Sequence, residues 1–185
     1  MRIVLGITGA SGVIYGLSLA KALRAHELHI ILSDSSKKLI EEEVGDTKRQ
    51  IRELSKHARI HDDGSFDSPL ASGSFVFDAM VICPCTMKTL SAIANGYSEN
   101  LLCRAADVAL KEHRKLILVP RETPINAIHI ENMLKLSRLG TVILPASPAF
   151  YPKPKKISDV VDFIVGRILD QLNVTHKKYL GWKHV

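Results

Sequence analysis

Short apolar runs rich in Ile, Val and Leu alternate along the chain with longer segments whose apolar positions recur every three or four residues. That alternation belongs to βαβ units, because strands of a parallel sheet are covered on both faces and read as continuous apolar stretches. The runs predict strands at 2–7, 28–32, 79–83, 116–119 and 141–144, with a short one at 58–61. The helical period predicts helices at 13–24, 35–43, 46–57, 87–95, 100–112, 126–139 and 158–172. In the first of these, Ile14, Leu17, Ala20 and Leu23 follow helical spacing. Residues 62–75 carry Asp, Gly, Ser and Pro without a period and read as a loop. The expected architecture is a single α/β domain with a doubly wound, mainly parallel sheet of Rossmann or flavodoxin-like type, closed by a tail at 174–185. Strand order stays open at this level.

Composition narrows the class. A chain of 185 residues fits one domain, and 46% apolar with 24% charged residues excludes disorder and fibrous repeats. No apolar run approaches the roughly 20 residues of a membrane-spanning helix. The first residues enter a strand directly, without a leader-like apolar stretch, so a cytoplasmic setting is expected. Cys83, Cys85 and Cys103 are not spaced as CxxC pairs, and the eight histidines are scattered along the chain, so neither a disulfide framework nor a metal site is expected. The net charge of +6 suits nucleic acid, an acidic surface or small phosphorylated ligands. The basic residues lack interleaved aromatics and RNA-binding signatures, and both nucleic acid and membrane are set aside as partners.

In open α/β sheets ligands bind beyond the carboxyl ends of the strands. The segments there are Gly6-Ile-Thr-Gly-Ala-Ser-Gly12, Ser33-Asp-Ser-Ser36, Cys83-Pro-Cys-Thr-Met-Lys88, Arg121-Glu-Thr-Pro124 and Pro145-Ala-Ser-Pro-Ala-Phe-Tyr-Pro152. The first is GxxGxxG, neither the dinucleotide fingerprint nor a P-loop. A helix starting near Val13 would direct free amides at a phosphate, and Thr8 and Ser11 would add side-chain donors; a tight packing turn is the alternative. Arg104 and Lys111, seven apart on one helix face, could clamp phosphate with Arg121 and Arg167, or form a surface ion ladder through Asp107. Glu122 reads as an acid or base, or as a carboxylate at a helix start. Tyr151 reads as a phosphate donor or a packed aromatic. Cys83 and Cys85 read as small buried hydrophobes.

Gly6-Ile-Thr-Gly-Ala-Ser-Gly12, Ala71-Ser-Gly-Ser74, Val81-Ile-Cys-Pro-Cys-Thr-Met-Lys-Thr-Leu90, Arg104-Ala-Ala-Asp-Val-Ala-Leu-Lys-Glu112, Pro120-Arg-Glu-Thr-Pro124 and Pro148-Ala-Phe-Tyr151 occur in that order. Together they resemble the UbiX-type flavin prenyltransferases over nearly the whole chain. The resemblance implies a large homo-oligomer, usually a dodecamer of trimers, with the site at a subunit interface. It implies transfer of a dimethylallyl group from dimethylallyl phosphate to N5 and C6 of reduced FMN, without a metal, giving prenylated FMN for a UbiD-type decarboxylase.

By motif position, the resemblance puts Gly9, Ala10, Ser11, Ser33, Thr86, Met87, Lys88, Thr89 and Arg121 on FMN. It puts Arg104, Lys111, Arg121, Glu122, Tyr151 and Arg167 on the prenyl phosphate, with Glu122, Tyr151, Ser11 and Glu43 as the catalytic set. Glu41 and Glu42 leave the register of Glu43 open, and Thr86 stands where the family commonly has serine. The competing readings are a flavin-dependent cysteine decarboxylase of the same superfamily and a non-catalytic FMN carrier.

Overall fold

Strand β1 (Arg2–Ile7) pairs in parallel with β2 (Glu27–Leu32) on one side and with β4 (Ala79–Cys85) on the other. Beyond them lie β3 (Arg59–Asp62), β5 (Lys115–Pro120) and β6 (Val142–Ile143), giving a six-stranded parallel sheet in the order β3-β2-β1-β4-β5-β6. This is the Rossmann order, and it reverses between β1 and β4. The molecule is a computed structural model whose described residues are 1–182; Lys183, His184 and Val185 of the expected tail lie outside them.

Alternation along β1 divides the core. Ile3, Leu5 and Ile7 face one cluster with α1 (Val13–Ala22), Ile40 of α2 (Asp34–Glu43), Leu54 of α3 (Thr47–Ser55) and α7 (Ile157–Gln171). Val4 faces the other, with α4 (Met87–Ala94), α5 (Leu101–Lys111) and Leu136 of α6 (Ala127–Arg138). Each cluster excludes water from one face of the sheet, and burial of such side chains contributes about 1.5–3 kcal/mol apiece before entropy is counted.

Element types agree with the hydrophobic pattern; the differences lie at the ends. β4 continues past the expected stop at Cys83 to Cys85, with a shift of register against β5 between Ile82 and Cys85 that accommodates Pro84. β6 shortens to two residues. The aperiodic loop holds one turn of 3-10 helix, Pro69–Ala71. It is pinned to the sheet by a chain of polar contacts through the buried His29: Glu27 Oε1 lies 3.3 Å from His29 Nε2, His29 Nδ1 2.9 Å from His61 Nε2, and His61 Nδ1 2.9 Å from Ser68 Oγ. The tail from Val174 to Trp182 returns along α7.

Candidate functional site

Where the strand order reverses, Thr8 ties the sheet together. Its hydroxyl donates to the Pro84 carbonyl (2.8 Å) and accepts from the Thr86 amide (2.9 Å), while its own amide reaches the same carbonyl (3.2 Å). Thr8 is 2% exposed, so its hydroxyl is committed to joining β1 to β4 and is not the free ligand donor expected from sequence.

Beside this joint opens a cleft of about 350 Å³ lined by Thr8, Ser33, Asp34, Ser35, Asp63, Thr86, Lys88, Thr89, Asn100 and Leu102. Three of these residues cap helices. Ser33 Oγ accepts from the Ser36 amide at the start of α2, Thr86 Oγ1 from the Thr89 amide at the start of α4, and Asn100 Oδ1 from the Cys103 amide at the start of α5. Three positive helix ends thus converge on one hollow, an arrangement that favours an anion. Gly9 lets the first loop come close: a Cβ there would meet Ser35 at 2.4 Å. Met87 and Thr89 are buried, whereas Lys88 is exposed at the rim and pairs with Glu99 at 2.9 Å.

Asp63 and Asn100 are contributors that motif reading missed. Asp63 accepts from the Leu102 amide (2.9 Å) and Asn100 Nδ2 (3.0 Å), fixing the start of α5. Burial pushes its carboxyl above the ordinary carboxylate range, with the Leu102 amide opposing. Asn100 carried a helix-start signal; Asp63, in an aperiodic loop, carried none.

A second group surrounds the first loop. Gly12 adopts φ 95°, a left-handed conformation that glycine enters freely, and turns the chain into α1. The amides of Gly12 and Val13 are not free, as expected from sequence, but donate to the Glu43 carboxylate at 2.9–3.2 Å. That settles which of the three glutamates faces this loop, since Glu41 turns away to accept from Thr47. Ala10 is buried and Ser11 exposed. Tyr15, also missed, folds back over Gly12, and burial raises its hydroxyl's pKa while the nearby Arg121 opposes the shift. Arg121 and Glu122 begin a run of exposed residues from 121 to 128. Among the described residues Glu122 accepts only from the neighbouring Thr123 amide (3.1 Å), and α6 starts later, capped by Asn126, so Glu122 is not the carboxylate at that helix start.

The remaining cations separate. Arg104 donates to Asp107 (2.7 Å) and to the Ala71 carbonyl (3.0 Å), and Lys111 pairs with Glu112 beside Gly73. Both sit on α5, against one face of the sheet. Tyr151 and Arg167 belong to the other face. Tyr151 packs edge-on against Phe163 and Trp182 at ring distances of 6.0 and 5.1 Å, and Arg167 lies on α7, 3.0 Å from Asp170. One copy of the chain therefore does not gather all the expected phosphate ligands. The three thiols are buried: Cys103 is pushed up to about 11, and Cys83 and Cys85 further still, which keeps them protonated.

The family model described as Flavoprotein matches residues 1–169. A flavin prenyltransferase UbiX of Methanocaldococcus jannaschii is 53% identical over 98% of both chains. The chain belongs to the UbiX-type flavin prenyltransferases. As a member it is an enzyme, a transferase that moves a prenyl group onto a flavin. A UbiX structure in complex with FMN and dimethylallyl pyrophosphate superposes with TM-score 0.94 at 41% identity, covering 98% of this chain and 97% of that one. A dodecameric, FMN-dependent UbiX-like decarboxylase from Escherichia coli gives 0.94 at 42% identity, covering 99% and 100%. An FMN-dependent cysteine decarboxylase shares only the fold, at 21% identity and TM-score 0.62. Among the described residues no helix is long and apolar enough to cross a membrane.

Proposed function

We propose that this flavin prenyltransferase joins the dimethylallyl group of dimethylallyl phosphate to N5 and C6 of reduced FMN, and that the prenylated FMN serves a UbiD-type decarboxylase. The observation that carries the reading is the hydroxyl-lined cleft onto which three helix starts converge at the reversal of strand order. Such a cleft suits the phosphate and ribityl chain of FMN, with Ser33 and Thr86 to Thr89 as donors and Gly9, Ala10 and Ser11 admitting the flavin along the first loop. Arg121, beside Tyr15 and that loop, meets the flavin ring in this reading.

When bound, reduced FMN supplies the electron-rich ring that takes the allyl carbon, so no protein nucleophile is required and the buried thiols have no part to play. The chain's own work is on the leaving group. Cleavage of the allylic C–O bond concentrates negative charge on phosphate, and fixed guanidinium and ammonium groups stabilise that charge as it develops. Arg104, Lys111, Arg121 and Arg167 take this role, while Glu122 and Tyr151 orient or protonate the departing oxygen. Glu43, with Ser11 close by in sequence to the Gly12 and Val13 amides it holds, handles protons at the flavin edge.

Because Arg104 and Lys111 lie on the opposite face of the sheet from Tyr151 and Arg167, the phosphate site is completed between copies of the chain. The dodecameric relative supports this, and so does the exposed run at 121–128, which includes Ile125 and Ile128 beside Arg121 and Glu122. The setting proposed is the cytoplasm, in keeping with three free thiols. The test is the structure of the product: NMR of flavin extracted after anaerobic turnover with dithionite is expected to show linkage at N5 and C6. The extract is also expected to activate a UbiD-type apo-decarboxylase. Linkage elsewhere, or an extract that leaves the apoenzyme inactive, overturns the reading.

A further inference from the structure

We propose that Asp170, Tyr179 and His176 form a bracket that aims the Arg167 guanidinium at the phosphate of the prenyl donor, making them positioning residues. The inference rests on the donor site described above and adds the part played by the tail.

The chain leaves α7, turns at Asn173 (φ 56°) and doubles back along the helix. Gly166 provides the seat. A Cβ there would meet the Tyr179 ring at 2.6 Å and the His176 ring at 3.0 Å, so only glycine lets the tail lie this close. Phe163 packs on Tyr179 with ring centroids 4.9 Å apart, and Lys178 donates to Asp162 at 2.8 Å. The tail is thus tied to α7 on both sides of Arg167.

Asp170 lies one helical turn after Arg167, and such a surface pair alone would hold the arginine loosely. Here both carboxylate oxygens are occupied. Oδ2 accepts from Arg167 Nη1 (3.0 Å) and from the Tyr179 hydroxyl (2.5 Å), and Oδ1 lies 2.9 Å from His176 Nε2. Nη1 also donates to the Tyr179 oxygen at 3.1 Å, which closes a ring of three groups. Burial works against the Asp170 charge, but the hydrogen bonds from Tyr179 and His176 and the charges of His176 and Arg167 carry its pKa below the ordinary value.

The network consumes one nitrogen of the guanidinium fork. Among the described residues, Nε and Nη2 have no hydrogen-bond partner, and the side chain is 45% exposed. A planar fork fixed at one corner and open at the other two is prepared for bidentate phosphate binding, with much of its rotamer freedom already removed.

The test is calorimetry of dimethylallyl phosphate binding to protein loaded with oxidised FMN, which has no electrons to drive the transfer. Tyr179→Phe is expected to weaken donor binding about five- to tenfold and to add nothing in an Arg167→Ala background, the signature of action through that arginine. Asp170→Asn and Gly166→Ala are expected to behave alike, with FMN affinity unchanged. In turnover with reduced FMN, Tyr179→Phe raises the donor KM and leaves kcat at saturating donor in place. Unchanged donor affinity in Tyr179→Phe, or a loss fully additive with Arg167→Ala, overturns the bracket while the donor site stands. If wild-type protein binds no donor, the donor site and the bracket fall together.

Discussion

Glu43, the last residue of α2, receives the amides of Gly12 at 2.9 and 3.1 Å and of Val13 at 3.2 Å, so a carboxylate sits at the positive end of α1. The pairing joins two helices through their ends and satisfies amides that α1 cannot satisfy itself. It also places the Glu43 side chain at the loop where the flavin is proposed to lie. Glu43→Ala is expected to lower stability by about 1 kcal/mol, read from a urea midpoint. Glu43→Gln, which keeps the shape, is expected to retain FMN and slow prenyl transfer; a normal rate removes Glu43 from the catalytic set.

Glu122 is exposed at the head of the run from 121 to 128, and among the described residues its carboxylate accepts only from the Thr123 amide. Glu122→Gln is expected to leave FMN affinity unchanged and to cut turnover about 10²- to 10⁴-fold, the range of a lost general acid. Stopped-flow single turnovers check this, since they isolate the chemical step from product release.

Arg104 and Arg167 serve opposite faces of one sheet, and on the proposed reading they meet only across an interface. Arg104→Ala and Arg167→Ala proteins are each expected to lose donor binding. Co-expressed in equal amounts, they are expected to regain on the order of a quarter of wild-type sites, because a two-copy site finds both intact arginines in that share of random pairings. A site built within one chain would regain nothing.

His61 gives a pH signature unrelated to catalysis. Burial, then the neighbouring His29 and Arg59, lower its pKa from 6.5 to about 4. The unfolded chain therefore binds a proton more readily, and stability present above pH 6.5 is lost as pH falls toward 4. The side chain is half-exposed, so solvent screening reduces the effect to roughly 1–2 kcal/mol. Urea midpoints measured across that window are expected to fall for the wild type and to fall less for His61→Asn.

Most of the fold was legible because each signal was local. Continuous apolar runs marked buried strands, and apolar positions recurring every three or four residues marked the helices. The strand order was not legible, since the adjacency of β1 and β4 is a relation between residues some 76 positions apart, as in the Thr8 to Pro84 contact. Nor was the end of β4 legible, since the strand runs past the expected stop at Cys83 where a shift of register against β5 absorbs Pro84. Ser33, Thr86, Lys88 and Thr89, named by motif position, line one cleft, but only packing could separate Glu43 from Glu41 and Glu42. Thr8 looked like a ligand donor and is a joint. Gly166, Asp170 and Tyr179 carried no motif at all, because their relation exists only once the tail folds back on α7.

The most direct measurement is the mass of the flavin extracted after anaerobic incubation of the protein with FMN, dithionite and dimethylallyl phosphate, with the diphosphate run in parallel. A gain of one C5H8 unit is the expected result. FMN that binds and returns unmodified with both donors would contradict the account.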